Sequence, residues 1–480
     1  MAIEPINAKN INITTNTNDT KKIVIWICLV AALGGLLFGL DQGFIANSLS
    51  TIKNVYHLDV SGGEAYAAIL ATGGVVGALL SGFFARFLGR KKSLVLAGSL
   101  FSALSFISAT LPALDILISC RFGLGFAVGI ASFVVPLYLS ETAPTKIRGS
   151  MGSLFQLMIT IGIFLIAVTN VIIINIFVNS QTALPIMYMV IAVFALMMLF
   201  GSLKLPESPR WLMLKGKQHK AVKVLHKILN SQEEIDNEIK EIQQTLESDK
   251  GVAMGGIFKG YFIKILIMGV ILQMFQQLVG INLMIYYAPT IFGYAGMTGI
   301  IALLTVPTVN MLFTFPAVRL VEKWGRKKLL YIGATVMMLT MLSAGLTFYT
   351  IGDIANPSQI SLVAKIILLV SVIIYIFGFA VSWGPVAWIV CSEVFPLECR
   401  EVGMTITTMV NWTFAGLVMG NALTFMQLHG NFSIFFVFAG FCCLSMVFLK
   451  LYVPETKGIT LEEIEYKLKN GVKLRNLGNQ

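Results

Sequence analysis

Charge is what this sequence has least of. Asp, Glu, Lys and Arg make up 12% of its 480 residues, about half the usual share of a soluble domain. That shortage excludes a chain of this length folded in water, whose surface would need those groups. Histidine (four) and cysteine (six) are scarce too. The cysteines (Cys28, Cys120, Cys391, Cys399, Cys442 and Cys443) lie mostly in apolar runs without ligand or redox spacing and read as small packing residues. The histidines fall in loops or in a polar interval. No nucleotide-binding motif, metal-ligand cluster or nucleophile–base constellation occurs, so neither an enzyme nor a cofactor nor a metal is expected. The net charge of +11 does not indicate a nucleic-acid partner either, because the Lys and Arg residues form short clusters between apolar runs rather than a patch interleaved with aromatics.

What is plentiful is apolar: 56% of residues are hydrophobic, the mean hydropathy is +0.81, and there are 43 Gly and 33 Phe. Such a chain has lipid as its solvent. A spanning helix needs about 20 apolar residues. Runs of that kind are expected near 23–47, 64–85, 93–110, 114–139, 149–175 and 183–203, and again near 260–292, 298–321, 329–350, 362–391, 402–426 and 432–453. Several exceed the bilayer thickness, which implies tilt or kinks. The first run follows a polar tail and is long enough to span, so it reads as a retained helix rather than a cleaved signal. The expected organisation is a tail (1–22), a six-helix half (23–203), a polar helical linker (204–259), a second six-helix half (260–453) and a tail (454–480). With both termini in the cytoplasm, 32 of the 35 Lys and Arg residues fall inside; Lys53 and Lys365 fall outside and Arg121 within a span. The positive-inside rule favours that orientation.

The two halves repeat each other. Gly89-Arg90-Lys91-Lys92 follows the second span and Gly325-Arg326-Lys327-Lys328 the eighth. Glu141 with Arg148 follows the fourth, and Glu393 with Arg400 the tenth. Matched pairs six helices apart indicate two parallel repeats, the organisation of the major facilitator superfamily, with its site at the repeat interface. The chain resembles the sugar porter branch of that superfamily through an ordered set of motifs covering nearly its whole length. These are Arg121 to Gly125, Pro136 to Gly149, Pro206 to Trp211, Gln276 to Asn282 with Tyr286 and Tyr287, Gly384 to Trp388, and Pro454 to Gly458. The expected fold is thus all-α, with twelve transmembrane helices in two six-helix repeats and a cytoplasmic helical linker.

The seventh span bears on substrate chemistry by itself. Gln276, Gln277 and Asn282 are amides in an otherwise apolar run, where an unpaired amide costs several kcal/mol. Amides both donate and accept, which suits sugar hydroxyls; the alternative is interhelical glue. Their spacing does not make one helical stripe, and a break near Gly280 would bring them toward one cavity. The resemblance implies further sugar contacts from Gln156, Asn310, Phe38, Phe379, Trp388, Asn411 and Trp412, and an extracellular gate at Tyr286 and Tyr287. It also implies a cytoplasmic charge network of Arg90, Glu141, Arg148, Arg210, Glu322, Arg326, Glu393 and Arg400. Two positions depart from the family pattern: Arg86 stands where an acid or amide is usual, and Glu401 where a Gly is usual.

Asp41 and Arg121 are the clearest ionisable residues inside the spans, and such residues are usually functional. If they meet, the Arg stabilises the carboxylate, and a state in which they part leaves Asp41 to take a proton. An acid here resembles the proton symporters of the branch; a static ion pair is the structural alternative. The expectation is therefore monosaccharide transport coupled to protons, by a monomer in a bacterial inner membrane. A facilitative uniporter is the nearest rival and a sugar receptor a remote one. Ile163 stands one helical repeat beyond Gln156, where some xylose carriers have Gln, which favours a hexose such as glucose or galactose over xylose.

Overall fold

The computed structural model describes residues 17–144, 148–177, 179–249, 260–352, 360–395 and 400–457, with 463, 466–467 and 470–477 in the C-terminal tail. The described chain is almost entirely helical. In the first half α1 covers Thr17–Tyr56, α2 Val60–Phe87, α3 Arg90–Ala109, α4 Leu114–Thr142, α5 Arg148–Ile176 and α6 Ser180–Lys204. Three short helices follow, α7 (Pro209–Leu214), α8 (Gln218–Ile228) and α9 (Gln232–Asp249). The second half has α10 (Tyr261–Leu278), α11 (Ile281–Tyr294), α12 (Ile300–Trp324), α13 (Arg326–Ile351), α14 (Leu362–Val381), α15 (Trp383–Val394), α16 (Arg400–His429) and α17 (Ser433–Leu451). Among the described residues, 12 helical stretches are long and apolar enough to cross a membrane. They match the expected runs to within several residues; α1 is the longest, its span running to Tyr56.

Two of those spans are broken. The seventh divides into α10 and α11 at Gly280, whose φ of 98° lies in the left-handed region that glycine enters without steric cost. The tenth divides into α14 and α15 at Ser382, whose hydroxyl donates back to the Gly378 carbonyl at 2.6 Å. Each break strands backbone groups that must be satisfied within protein. The Val279 carbonyl duly accepts the Tyr375 hydroxyl at 3.0 Å.

The packing reproduces the sequence repeat. In the first half α1 lies on α5 and α6, α2 on α4, and α3 on α4 and α6; in the second α10 lies on α16 and α17, α12 on α14, and α13 on α14 and α17. Small residues permit this closeness: a Cβ on Gly39 of α1 would stand 1.9 Å from the Ile159 carbonyl oxygen of α5. The halves meet where α2 crosses α16, α5 meets α12 and α1 meets α11. Large exposed side chains such as Phe83, Met197, Leu312, Leu339 and Leu444 cover the perimeter, as a lipid-facing surface requires. Alternation of the spans puts the two Gly-Arg-Lys-Lys turns and the linker on one face, hereafter the linker face.

Candidate substrate and coupling site

The break at Gly280 gathers the amides as the sequence suggested. Gln276 donates from Nε2 to the carbonyls of Trp383 and Gly384, both at 3.2 Å, just past the break in the tenth span. Gln277 Nε2 donates to Asn411 Oδ1 at 2.9 Å and to Gln276 Oε1 at 3.3 Å. Asn282, on the far side of the break, donates to Gln277 Oε1 at 2.5 Å. Asn411 on α16 donates to Gln276 Oε1 and, at 2.7 Å, to Gln273 Oε1. Five amides from three helices thus form one buried hydrogen-bonded cluster. Each is satisfied by another amide or a backbone group, so a ligand with alternating donors and acceptors can exchange for those partners without leaving any stranded.

Gln273 was not anticipated. It sits one helical turn before Gln276 and Gln277, so its spacing carried the signal, but an amide in an apolar run does not itself reveal which face it takes. Trp383 was missed as well; fully buried, it supplies a carbonyl to Gln276 and donates from Nε1 to the Leu330 carbonyl at 3.0 Å.

The aromatic candidates fall in three places. Phe38 of α1 and Trp412 of α16 meet across the halves, ring centroids 5.2 Å apart, and Trp412 also covers Gly74 of α2. Phe379 is buried at the end of α14 and Trp388 half-buried on α15. Asn310 is buried on α12 and Gln156 half-buried on α5, on helices that pack together across the halves. No described hydrogen bond joins either side chain to the amide cluster.

Asp41 and Arg121 do meet. Arg121 Nη1 stands 2.5 Å from Asp41 Oδ1, and both side chains are fully buried. The guanidinium lies 5.8 Å from the Tyr66 ring centroid, and the Tyr66 hydroxyl is 2.6 Å from that of Tyr188. Tyr286 is fully buried on α11 of the second half, the helix that packs against α1. The pair is only partly satisfied: Asp41 Oδ2 and Arg121 Nε and Nη2 find no partner among the described residues. A buried ion pair without full hydrogen bonding is a poor stabiliser. Tyr287 points elsewhere, fully buried and donating to the Met419 carbonyl at 2.5 Å.

On the linker face the repeat is reproduced atom by atom. Arg90 forks onto Glu141 (Nη2 to Oε1 at 2.7 Å, Nε to Oε2 at 2.9 Å). Arg326 forks onto Glu393 in the same way, at 2.8 and 3.3 Å. Ser208 donates to Glu141 Oε2 and Thr456 to Glu393 Oε2, both at 2.5 Å. Glu207 accepts the backbone N–H groups of Arg90 and Lys91 at 2.9 and 3.1 Å; Glu455 accepts those of Arg326 and Lys327 at 2.9 and 3.0 Å. Each carboxylate therefore caps the exposed amides at a helix N-terminus. Gly89 and Gly325, at φ 96° and 88°, leave room, since a Cβ there would stand 2.4 and 2.7 Å from those carboxylates. Burial pushes the Glu207 carboxyl above its usual range, against the pull of the Ser208, Lys91 and Arg90 amides.

The charge network includes residues beyond those anticipated. Glu207, Ser208, Glu455 and Thr456 belong to it, though only their motifs were singled out. Arg210 makes no ion pair among the described residues. Arg400 donates from Nε to the Phe395 carbonyl at 3.3 Å. The side chains of Arg148 and Glu322 lie outside the described residues, as does Cys399. Of the two departures from the family pattern, Glu401 reaches across the halves to Arg90 at 3.9 Å; at Arg86 it is the backbone carbonyl, which any residue would supply, that accepts Trp211 Nε1 at 3.0 Å.

Comparison with known proteins shows the family. Residues 27–468 match the family described as sugar (and other) transporter. The chain belongs to that family. It is 39% identical to a galactose-proton symporter of Escherichia coli K12, over 96% of this chain and 97% of the relative. It is 35% identical to an arabinose-proton symporter of the same organism, over 98% and 99%. Among solved structures it is similar to the proton:xylose symporter XylE bound to 6-bromo-6-deoxy-D-glucose, with TM-score 0.78 and 32% identity, covering 93% of this chain and 99% of that one. The fold of this family member is therefore that of the major facilitator superfamily.

Proposed function

We propose that this sugar transporter family member is a monosaccharide–proton symporter working by alternating access. The amide cluster of Gln273, Gln276, Gln277, Asn282 and Asn411 takes the sugar, with Gln156, Asn310, Phe38, Phe379, Trp388 and Trp412 completing the cavity. The sugar is a hexose in preference to xylose. The linker face is cytoplasmic, both termini included, in a bacterial inner membrane, and one chain suffices. The halves, 23–203 and 260–453, rock about the site while Tyr286 and Tyr287 close its extracellular side.

The observation that carries the coupling is the fully buried, half-satisfied Asp41–Arg121 pair, whose helix α1 packs against α11 of the second half. It belongs to the first half yet lies where the second half touches it, so movement of the halves changes its surroundings. Named relatives that use galactose, arabinose or xylose with protons support the same reading. The test is counterflow in proteoliposomes with a panel of labelled sugars, with and without a pH gradient. Asp41→Asn is expected to abolish gradient-driven accumulation while counterflow survives. Accumulation that persists in that variant refutes the coupling role, and a sugar pulse that leaves the external pH unchanged in the native protein favours the uniporter.

A further inference from the structure

Asp41 is not the only carboxylate buried in the first half. Glu64 lies one turn into α2, whose first turn is capped by Asp59 accepting the Gly62 N–H at 2.7 Å. An acid in the first turns of a helix ordinarily faces water and the helix dipole. Glu64 instead is wholly buried, on the face opposite the linker, and its partners all belong to the other half. Oε1 accepts the backbone N–H of Leu423 at 2.5 Å and of Thr424 at 3.2 Å. Oε2 accepts the Thr424 N–H at 3.1 Å and the Thr424 hydroxyl. No cation is among these partners.

The receiving turn of α16 is itself unusual. In an α-helix the Leu423 N–H is directed at the Met419 carbonyl. Here Glu64 also accepts that N–H, and the Met419 carbonyl also accepts the Tyr287 hydroxyl from α11, within a helix that runs unbroken through this turn. A carboxylate from one half and a phenol from the other therefore engage the two ends of a single backbone pair. Below this turn the α2–α16 seam is smooth: Gly416 and Gly420 face only Ala71 and Ala68. At the linker-face end, the halves are bridged by Arg90 and a Glu401 that is 61% exposed, at 3.9 Å, a geometry that contributes little. Charge-assisted hydrogen bonds in a dry site are much stronger, and they are lost together once α2 separates from α16.

We propose that Glu64 is a latch between the halves: its bonds to Leu423 and Thr424 hold the opposite mouth closed, and breaking them is a step in opening it. The proposal rests on the alternating-access reading, but its test needs no sugar. Hydrogen exchange of the full chain in nanodiscs, followed by mass spectrometry, compares native protein with Glu64→Gln. The variant is expected to exchange on the order of tenfold faster at Leu423 and Thr424, and likewise at the facing ends of α2 and α11, with the linker-face ends unaltered. Thr424→Val, which removes one donor and leaves the carboxylate, is expected to give a smaller change in the same segments. Faster exchange confined to the α16 turn makes Glu64 a local cap and overturns the latch, as does unchanged exchange in both variants. Counterflow on the same preparations shows separately whether transport itself has been read correctly.

Discussion

Asn411 is the junction of the amide cluster, donating to Gln273 and Gln276 and accepting from Gln277. Asn411→Ala would leave three glutamine groups without that partner, at about 1–3 kcal/mol for each that stays buried and unpaired. Sugar affinity in counterflow is expected to fall by at least about tenfold, with Asn411→Asp less able to restore it than the native amide. Gln273 lies behind Gln276 and Gln277 in this chain of bonds, so Gln273→Ala should weaken affinity less than Gln277→Ala; equal losses would place Gln273 in contact with the sugar. How much of this was legible beforehand depended on the residue. Gln276, Gln277 and Asn282 were conspicuous because three amides in a lipid-length run need partners. Glu64 was invisible for the opposite reason: near the start of an apolar run, an acid looks like one that ends in water. Only the tertiary contact with Leu423 and Thr424 shows that it does not.

At the scale of elements, the spans were readable from length and apolarity alone, since a bilayer sets both. Where they break was half readable. Gly280 stood among amides that a continuous helix could not have gathered, whereas the break at Ser382 followed from nothing so specific and depends on the Gly378 carbonyl beside it. Gly280→Ala is expected to cost about 1–2 kcal/mol for the left-handed backbone. The new Cβ also comes within 2.6 Å of the Phe438 ring. A lower melting temperature in detergent, together with weaker sugar binding, would be the outcome; an unaltered melt would mean that the break is imposed by its neighbours. The caps on the linker face invite a paired experiment. Glu207→Ala and Glu455→Ala remove equivalent acceptors from equivalent helix N-termini and are each expected to cost about 1–2 kcal/mol, read as similar drops in melting temperature. The motifs containing them stood out in the sequence, but a carboxylate gripping backbone amides of another segment leaves no trace in spacing.

For the molecule as a whole, orientation and asymmetry are the open mechanical facts. Cysteine placed at Lys365 should react with a membrane-impermeant reagent in intact cells and cysteine at Lys215 should not; the reverse result would invert the proposed topology. Glu401→Gln, at an exposed pair, should change transport less than twofold, consistent with about 0–1 kcal/mol for such a contact, while Glu64→Gln should change it more. The two linker-face clasps carry a further consequence. Each is completed by the peptide that leaves its own half: Glu207 and Ser208 follow the sixth span, and Glu455 and Thr456 the twelfth. Apart from the exposed Glu401 that approaches Arg90 at 3.9 Å, the carboxylates described in each clasp come from its own half, so each half carries its own fastening and the connection between them is a tether rather than a brace. A chain severed at Asn230–Ser231, between α8 and α9, should then work as two co-expressed pieces that find one another in the bilayer, with sugar uptake by the pair as the readout.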